Sequence, residues 1–130
     1  MSSVFTKIVD GDIPAFKVAE NDLFLAFLDV NPLVKGHTLV IPKKEIDYIF
    51  DIDDELTASY SVFVKKVAVA IKSVIDCKRI GVAVIGLEVP HAHIHLVPIN
   101  SVGDINFSKP KLQLSSEELS SIADSIRASV

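Results

Sequence analysis

Pro90-His91-Ala92-His93-Ile94-His95-Leu96-Val97-Pro98 places three of the chain's four histidines at alternate positions. In an extended strand successive side chains point to opposite faces. His91, His93 and His95 therefore share one face, and Ala92, Ile94 and Leu96 share the other. The apolar row suits a core. The imidazole row has no packing purpose, and histidine is the side chain whose ordinary pKa lies near neutral pH, so the row points to chemistry.

Working outward, Arg79 to Ile85 reads as a preceding strand. Before it the periodicity changes from two to about 3.6. Leu56, Tyr60, Phe63, Val67, Ile71 and Val74 recur at three- and four-residue steps and predict a long helix beginning near Asp53. Asp51, Asp53, Asp54 and Glu55 crowd its start while Lys72, Lys78 and Arg79 gather at its end, both favourable to the helix dipole. Upstream, His37 to Ile41 predicts a strand stopped by Pro42. Phe16 to Ala19 and Leu23 to Leu28 predict a strand pair joined at Glu20-Asn21-Asp22. Phe5 to Val9 predicts one short helical turn, broken by Asp10-Gly11-Asp12-Ile13-Pro14. A closing helix is expected from Ser115, where Ser115 and Glu118 form a capping-box pattern and Leu119, Ile122 and Ile126 a stripe. These elements predict an α+β fold: an antiparallel five-stranded sheet, a long central helix and a C-terminal helix, with the sheet covered mainly on one face.

The chain has 130 residues, 49% of them hydrophobic, enough for one domain with a real core. A net charge of −4 and the absence of any Lys/Arg cluster argue against a nucleic-acid or anionic-membrane surface. Cys77 is the sole cysteine, which excludes an internal disulfide and fits a reducing compartment. With no signal-peptide pattern and no apolar run long enough to span a bilayer, a cytoplasmic location is expected.

Two chemical uses of the histidine row compete. Alternate strand residues lie about 6.6 Å apart, so one ion could take two neighbours but hardly all three. The remaining ligands would have to come from His37, Cys77 or scattered carboxylates, and no CxxC or HExxH accompanies them. The alternative is nucleophilic catalysis. A central imidazole kept neutral in one tautomer attacks phosphorus, while outer histidines bind phosphate oxygens or pass a proton to the leaving group. The alternating row suits that division of labour better.

The segment Gly86-Leu87-Glu88-Val89-Pro90-His91-Ala92-His93-Ile94-His95-Leu96-Val97-Pro98 resembles the signature of the histidine triad (HIT) family of nucleotide hydrolases and transferases. The resemblance continues upstream in Phe5-Thr6-Lys7-Ile8, Asp12-Ile13-Pro14, Leu25 to Pro32 and Gly36 to Lys43. It divides a single domain over residues 1–130 into a family-like core, 4–98, and a C-terminal extension with a helix, 99–130. It implies that His93 is the nucleophile that takes up a purine nucleoside monophosphate, flanked by His91 and His95, with His37 completing the cluster. It implies that Asp29 accepts hydrogen bonds from the ribose hydroxyls and that Phe5, Ile8, Phe27, Leu28 and Val30 line the purine pocket. The implied substrates are phosphoramidate, acyl- or polyphosphate-linked AMP or GMP. The implied assembly is a homodimer joined through the long helix and a strand, with no cofactor or metal in the covalent route.

The chain departs from the family pattern in two places. Relatives that hold a structural zinc use a CxxC near the start and a histidine after the Pro-Lys segment. Ser3, Thr6 and Glu45 occupy those positions here, which implies that this zinc is absent. The stretch before the triad is also short, with Leu87 where relatives have a hydrogen-bonding glutamine and Glu88 placing an acid near an anionic phosphate. Besides the hydrolase, these departures leave room for a nucleotide-binding regulator with little catalysis, or a metalloprotein using two of the row plus His37. The tail beyond Asn100 matches no pattern.

Overall fold

Every residue of two neighbouring strands is buried, and these strands form the middle of the molecule. The computed structural model describes residues 2–130. In chain order its elements are α1 (Val4–Val9), β1 (Lys17–Glu20), β2 (Phe24–Leu28), β3 (Thr38–Pro42), α2 (Asp54–Val74), β4 (Arg79–Ala83), β5 (Ile94–Ile99) and α3 (Ser116–Arg127), with short 3-10 turns at Ile49–Asp51 and Val102–Ile105. The strands make one sheet in the order β1-β2-β3-β5-β4, and every neighbouring pair is antiparallel. The expected five strands and two long helices are all present.

Alternation along the strands divides the core in two. Val18, Phe24, Ala26, Leu28, Val40 and Leu96 face α2 and α3, meeting Tyr60, Phe63, Val67, Ile71, Leu119 and Ile126. Leu25, Phe27, Leu39 and Ile41 face the other way and pack with Phe5 and Ile8 of α1. The second face is thus only partly covered, and the uncovered remainder holds the histidines. Leu119, Ala123 and Ile126 of the C-terminal extension belong to the same cluster as Phe24 and Val67.

The helix signals act as the sequence predicts. The Asp53 side chain caps α2 by accepting from the Leu56 N–H at 2.8 Å. Ser115 caps α3 by accepting from the Glu118 N–H at 3.1 Å. The predicted strand limits around the triad differ from those observed. β4 stops at Ala83 and β5 begins at Ile94, because the Ala92 N–H donates to Ile46 O at 2.7 Å and the His91 N–H to Val89 O at 2.8 Å instead of joining the ladder. At its other end β5 runs through Pro98 to Ile99. β3 pairs only as far as Leu96, so beyond it one side of the strand has no ladder for a proline to interrupt.

Gly36 delivers His37 to the start of β3. Its φ of +90° belongs to the left-handed region, and a Cβ there would stand 3.0 Å from Ile75 Cγ1 and 3.2 Å from Pro98 Cγ. Both conformation and space therefore demand glycine.

Candidate active site

Main-chain groups fix the tautomers of His93, His91 and His37, and His37 in turn fixes that of His95. The Nδ1 of His93 lies 2.8 Å from the His91 carbonyl oxygen, which can only accept, so Nδ1 carries the hydrogen. The Nε2 of His93 then keeps its lone pair and has no protein partner among the described residues. His91 Nε2 donates to Pro42 O at 2.7 Å, leaving Nδ1 to accept from Ser3 Oγ at 2.9 Å. On the third side, His37 Nδ1 accepts from the Leu33 N–H at 3.0 Å. Its Nε2–H therefore donates to His95 Nδ1 at 2.9 Å, and His95 presents an Nε2–H.

The surroundings of His37, His91 and His95 favour their neutral forms. Burial, then the neighbouring His95 and Lys111, push the pKa of His37 down to about 3. Burial and then His93 push His95 down to about 4, and burial lowers His91. The alternating face is as expected: His95 pairs with Leu39 in register, while Ala92, Ile94 and Leu96 pack into the helix-side core. His93 is held by a main-chain carbonyl and not by a flanking imidazole, although the His95 ring stands edge-on to it at 5.0 Å.

A cavity of about 480 Å³ opens on this face, lined by Phe5, Asp29, His37, His93 and His95 among the expected residues. The Phe5 ring meets His93 edge-on at 5.1 Å. Asp29 Oδ1 accepts from the Asn31 N–H at 2.9 Å, and Oδ2 lies 3.7 Å from His37 Nε2. Burial raises the Asp29 pKa against the opposing Asn31 hydrogen bond. Not all expected pocket residues reach the wall. Phe27 and Ile8 are buried in the cluster around Phe5. Leu28 points to the helix-side core, because it sits one residue out of phase with Phe27. Val30 is 53% exposed and lies outside the lining.

The wall also contains residues that the sequence did not announce. Leu39 follows from the β3 alternation once His37 is placed. Phe107 and Lys111 come from the tail and had no signal, since only the return of the chain across the sheet brings them here. The Phe107 ring packs edge-to-face on His95 at 4.7 Å and on His37 at 5.9 Å.

Behind His91, Ser3, Thr6 and Glu45 do come together. Glu45 Oε1 accepts from the Ser3 N–H at 2.6 Å and from Thr6 Oγ1 at 2.7 Å. These bonds hold the Glu45 pKa down at about 2. Tetrahedral zinc sites use thiolate, imidazole and carboxylate donors. Two neutral hydroxyls bonded to the carboxylate and to the imidazole leave no such set, so these residues do not fit a structural zinc. A second group, Asp29, His37 and His95, has ligand-type atoms within 4.8 Å of one another. In this arrangement His37 Nε2 and His95 Nδ1 share a hydrogen bond at 2.9 Å.

The HIT domain family model matches residues 10–102. This chain is a member of the HIT family. The HIT protein is 41% identical over 108 residues to "Protein hit" of Bacillus subtilis, covering 78% of this chain and 73% of that one. It is 36% identical over 132 aligned positions to the adenosine 5'-monophosphoramidase hnt1 of Schizosaccharomyces pombe, covering 100% and 99% of the two chains. Among solved structures, a Hit-like protein involved in cell-cycle regulation from Bartonella henselae superposes with a TM-score of 0.85 at 30% identity, covering 99% and 97%. In this HIT protein Phe107, Lys111 and α3 lie beyond the span that the family model matches.

Proposed function

We propose that this HIT protein hydrolyses purine nucleotide conjugates through a nucleotidyl-His93 intermediate. The observation that carries the reading is the bond from His93 Nδ1 to the His91 carbonyl, which leaves Nε2 as the ring's unbonded nitrogen beside the cavity. In the first step Nε2 bonds to the α-phosphorus and the bond from phosphorus to the leaving atom breaks. The leaving atom takes a proton from the Nε2–H of His95, which is replenished from water. In the second step water attacks phosphorus, the P–N bond to His93 breaks, and a proton returns to solvent. The proton consumed first equals the proton released last. The positive charge on the nucleotidylated ring is met by the His91 carbonyl at Nδ1.

Asp29 accepts from the ribose hydroxyls, since a carboxylate can serve both at once. Phe5 supplies the apolar wall for the base. The monophosphoramidase name of the fission-yeast relative supports an AMP conjugate with a P–N bond. No helix among the described residues is long and apolar enough to cross a membrane, and a cytoplasmic location is the proposed setting. A homodimer is the proposed assembly. β4 is an edge strand with Val82 61% exposed, and α2 leaves Val62 and Val69 more than half exposed.

The second reading is a nucleotide-binding regulator. It is favoured by the turn before the triad, where Leu87 is 88% exposed and Glu88 lines the cavity. One experiment separates the two. Protein mixed with adenosine 5'-phosphoramidate is quenched during turnover and examined by mass spectrometry for an AMP adduct on His93. His93→Ala is expected to lose turnover by a factor on the order of 10⁴. Stoichiometric binding with no adduct and no product supports the regulator instead.

A further inference from the structure

The segment between the second 3-10 turn and α3 crosses the open side of the histidine face, bringing an aromatic ring and an ammonium with it. We infer that Phe107 and Lys111 form the subsite for the leaving group, and that this subsite selects nucleotide conjugates whose leaving group carries a negative charge close to the scissile bond. The inference rests on the proposed function only for the position of the scissile bond.

Three observations support it. First, Phe107 packs on His95 and His37, the pair that offers a proton to the leaving atom. A group departing past His95 therefore meets this ring. Second, Lys111 is the cavity's only cation among the described residues, against the carboxylates of Asp29 and Glu88. Of the three histidines in the wall, His37 and His95 are pushed towards the neutral form. Without Lys111 the wall would be wholly anionic and would repel a nucleotide phosphate.

Third, Lys111 is oriented but not neutralised. Its Nζ donates to Phe107 O at 2.6 Å and to Lys109 O at 3.1 Å, and sits 6.0 Å from the Phe107 ring centroid. An ammonium has three hydrogens, so one remains for a ligand. No carboxylate among the described residues lies within ion-pair distance of it. The segment thus supplies a fixed positive charge beside the group that departs. A carboxylate one or two bonds from the leaving nitrogen, as in an amino acid joined to AMP through its amine, has the matching chemistry.

The test uses two compounds that differ in one group: AMP joined through nitrogen to glycine, and AMP joined to glycinamide. Preference is read as the ratio of kcat/KM on the active protein, and as the ratio of Kd on the His93→Ala protein. The unsubstituted protein is expected to favour the glycine compound. Lys111→Ala should lower that preference about 5- to 10-fold, Lys111→Glu should reverse it, and Lys111→Arg should restore it. A preference that stays put in Lys111→Ala and Lys111→Glu overturns the subsite. So does an equal loss on both compounds, which would place Lys111 on the shared nucleotide half. If neither compound turns over but the Kd ratio follows the charge at position 111, the subsite stands and the covalent chemistry fails.

Discussion

His37 Nε2 lies 2.9 Å from His95 Nδ1, and because Leu33 N–H occupies the other nitrogen of His37, the hydrogen between the rings belongs to His37. This one contact determines which way His95 presents its remaining proton. It also explains why a histidine 58 residues away in sequence belongs to the site.

Removing that partner should matter most when the leaving atom needs a proton. His37→Ala is expected to lower kcat about 10- to 100-fold for an amine leaving group. A p-nitrophenyl ester of AMP, whose leaving group departs as a stable anion, should be affected much less. Steady-state kinetics on the two substrates checks this, and equal losses would refute the role of His37 in orienting the proton of His95.

The depressed histidines make stability pH-dependent. The folded-state values of about 3 for His37 and about 4 for His95 lie below the ordinary 6.5. The unfolded chain therefore binds more protons below pH 6.5, and stability falls as the pH drops from there towards 4 and 3. Each ring should cost about 2 kcal/mol at pH 5 relative to pH 7. Glu45 acts in a lower window, between 4.5 and about 2, where protonation removes its hydrogen-bonded charge. Urea unfolding at pH 7 and pH 5 should show the loss, and His37→Asn should flatten the slope.

Asp29 is expected to read the sugar. Asp29→Ala should weaken AMP binding by about 5- to 30-fold and leave 2'-deoxy-AMP less affected, narrowing the discrimination between them. Calorimetric Kd values for both ligands decide it. Undiminished discrimination would move the ribose elsewhere.

Ser3 has two structural duties. Its Oγ accepts from the Thr6 N–H at 3.0 Å as the cap of α1 and contacts the buried His91 Nδ1 at 2.9 Å. Ser3→Ala should cost about 1–2 kcal/mol in chemical unfolding. A value near zero would mean that Thr6, 3.3 Å from the same nitrogen, takes over.

Much of this was legible in the chain because the signals were local. The Asp53 and Ser115 caps, the α2 stripe and the alternation from Ala92 to Leu96 each depend on neighbours within a few residues. The directions of other side chains and the limits of some strands depended on more than neighbouring residues. Leu28 and Val30 flank the pocket-side residues in sequence, yet pleating turns Leu28 to the helix side and the strand ends before Val30. The limits of β5 depended on Ile46, which draws Ala92 out of the ladder.

Element types, the segregation of imidazoles from apolar residues, and family membership are written in contiguous chain, because periodicity and motif spacing are local properties. The tertiary structure alone decided which nitrogen of His91 and of His95 holds a hydrogen, since their partners, the Pro42 carbonyl and the His37 ring, are brought in by another segment. It alone carried Phe107 and Lys111 to the histidines, because closing a chain across a sheet leaves no periodic trace in the residues that arrive.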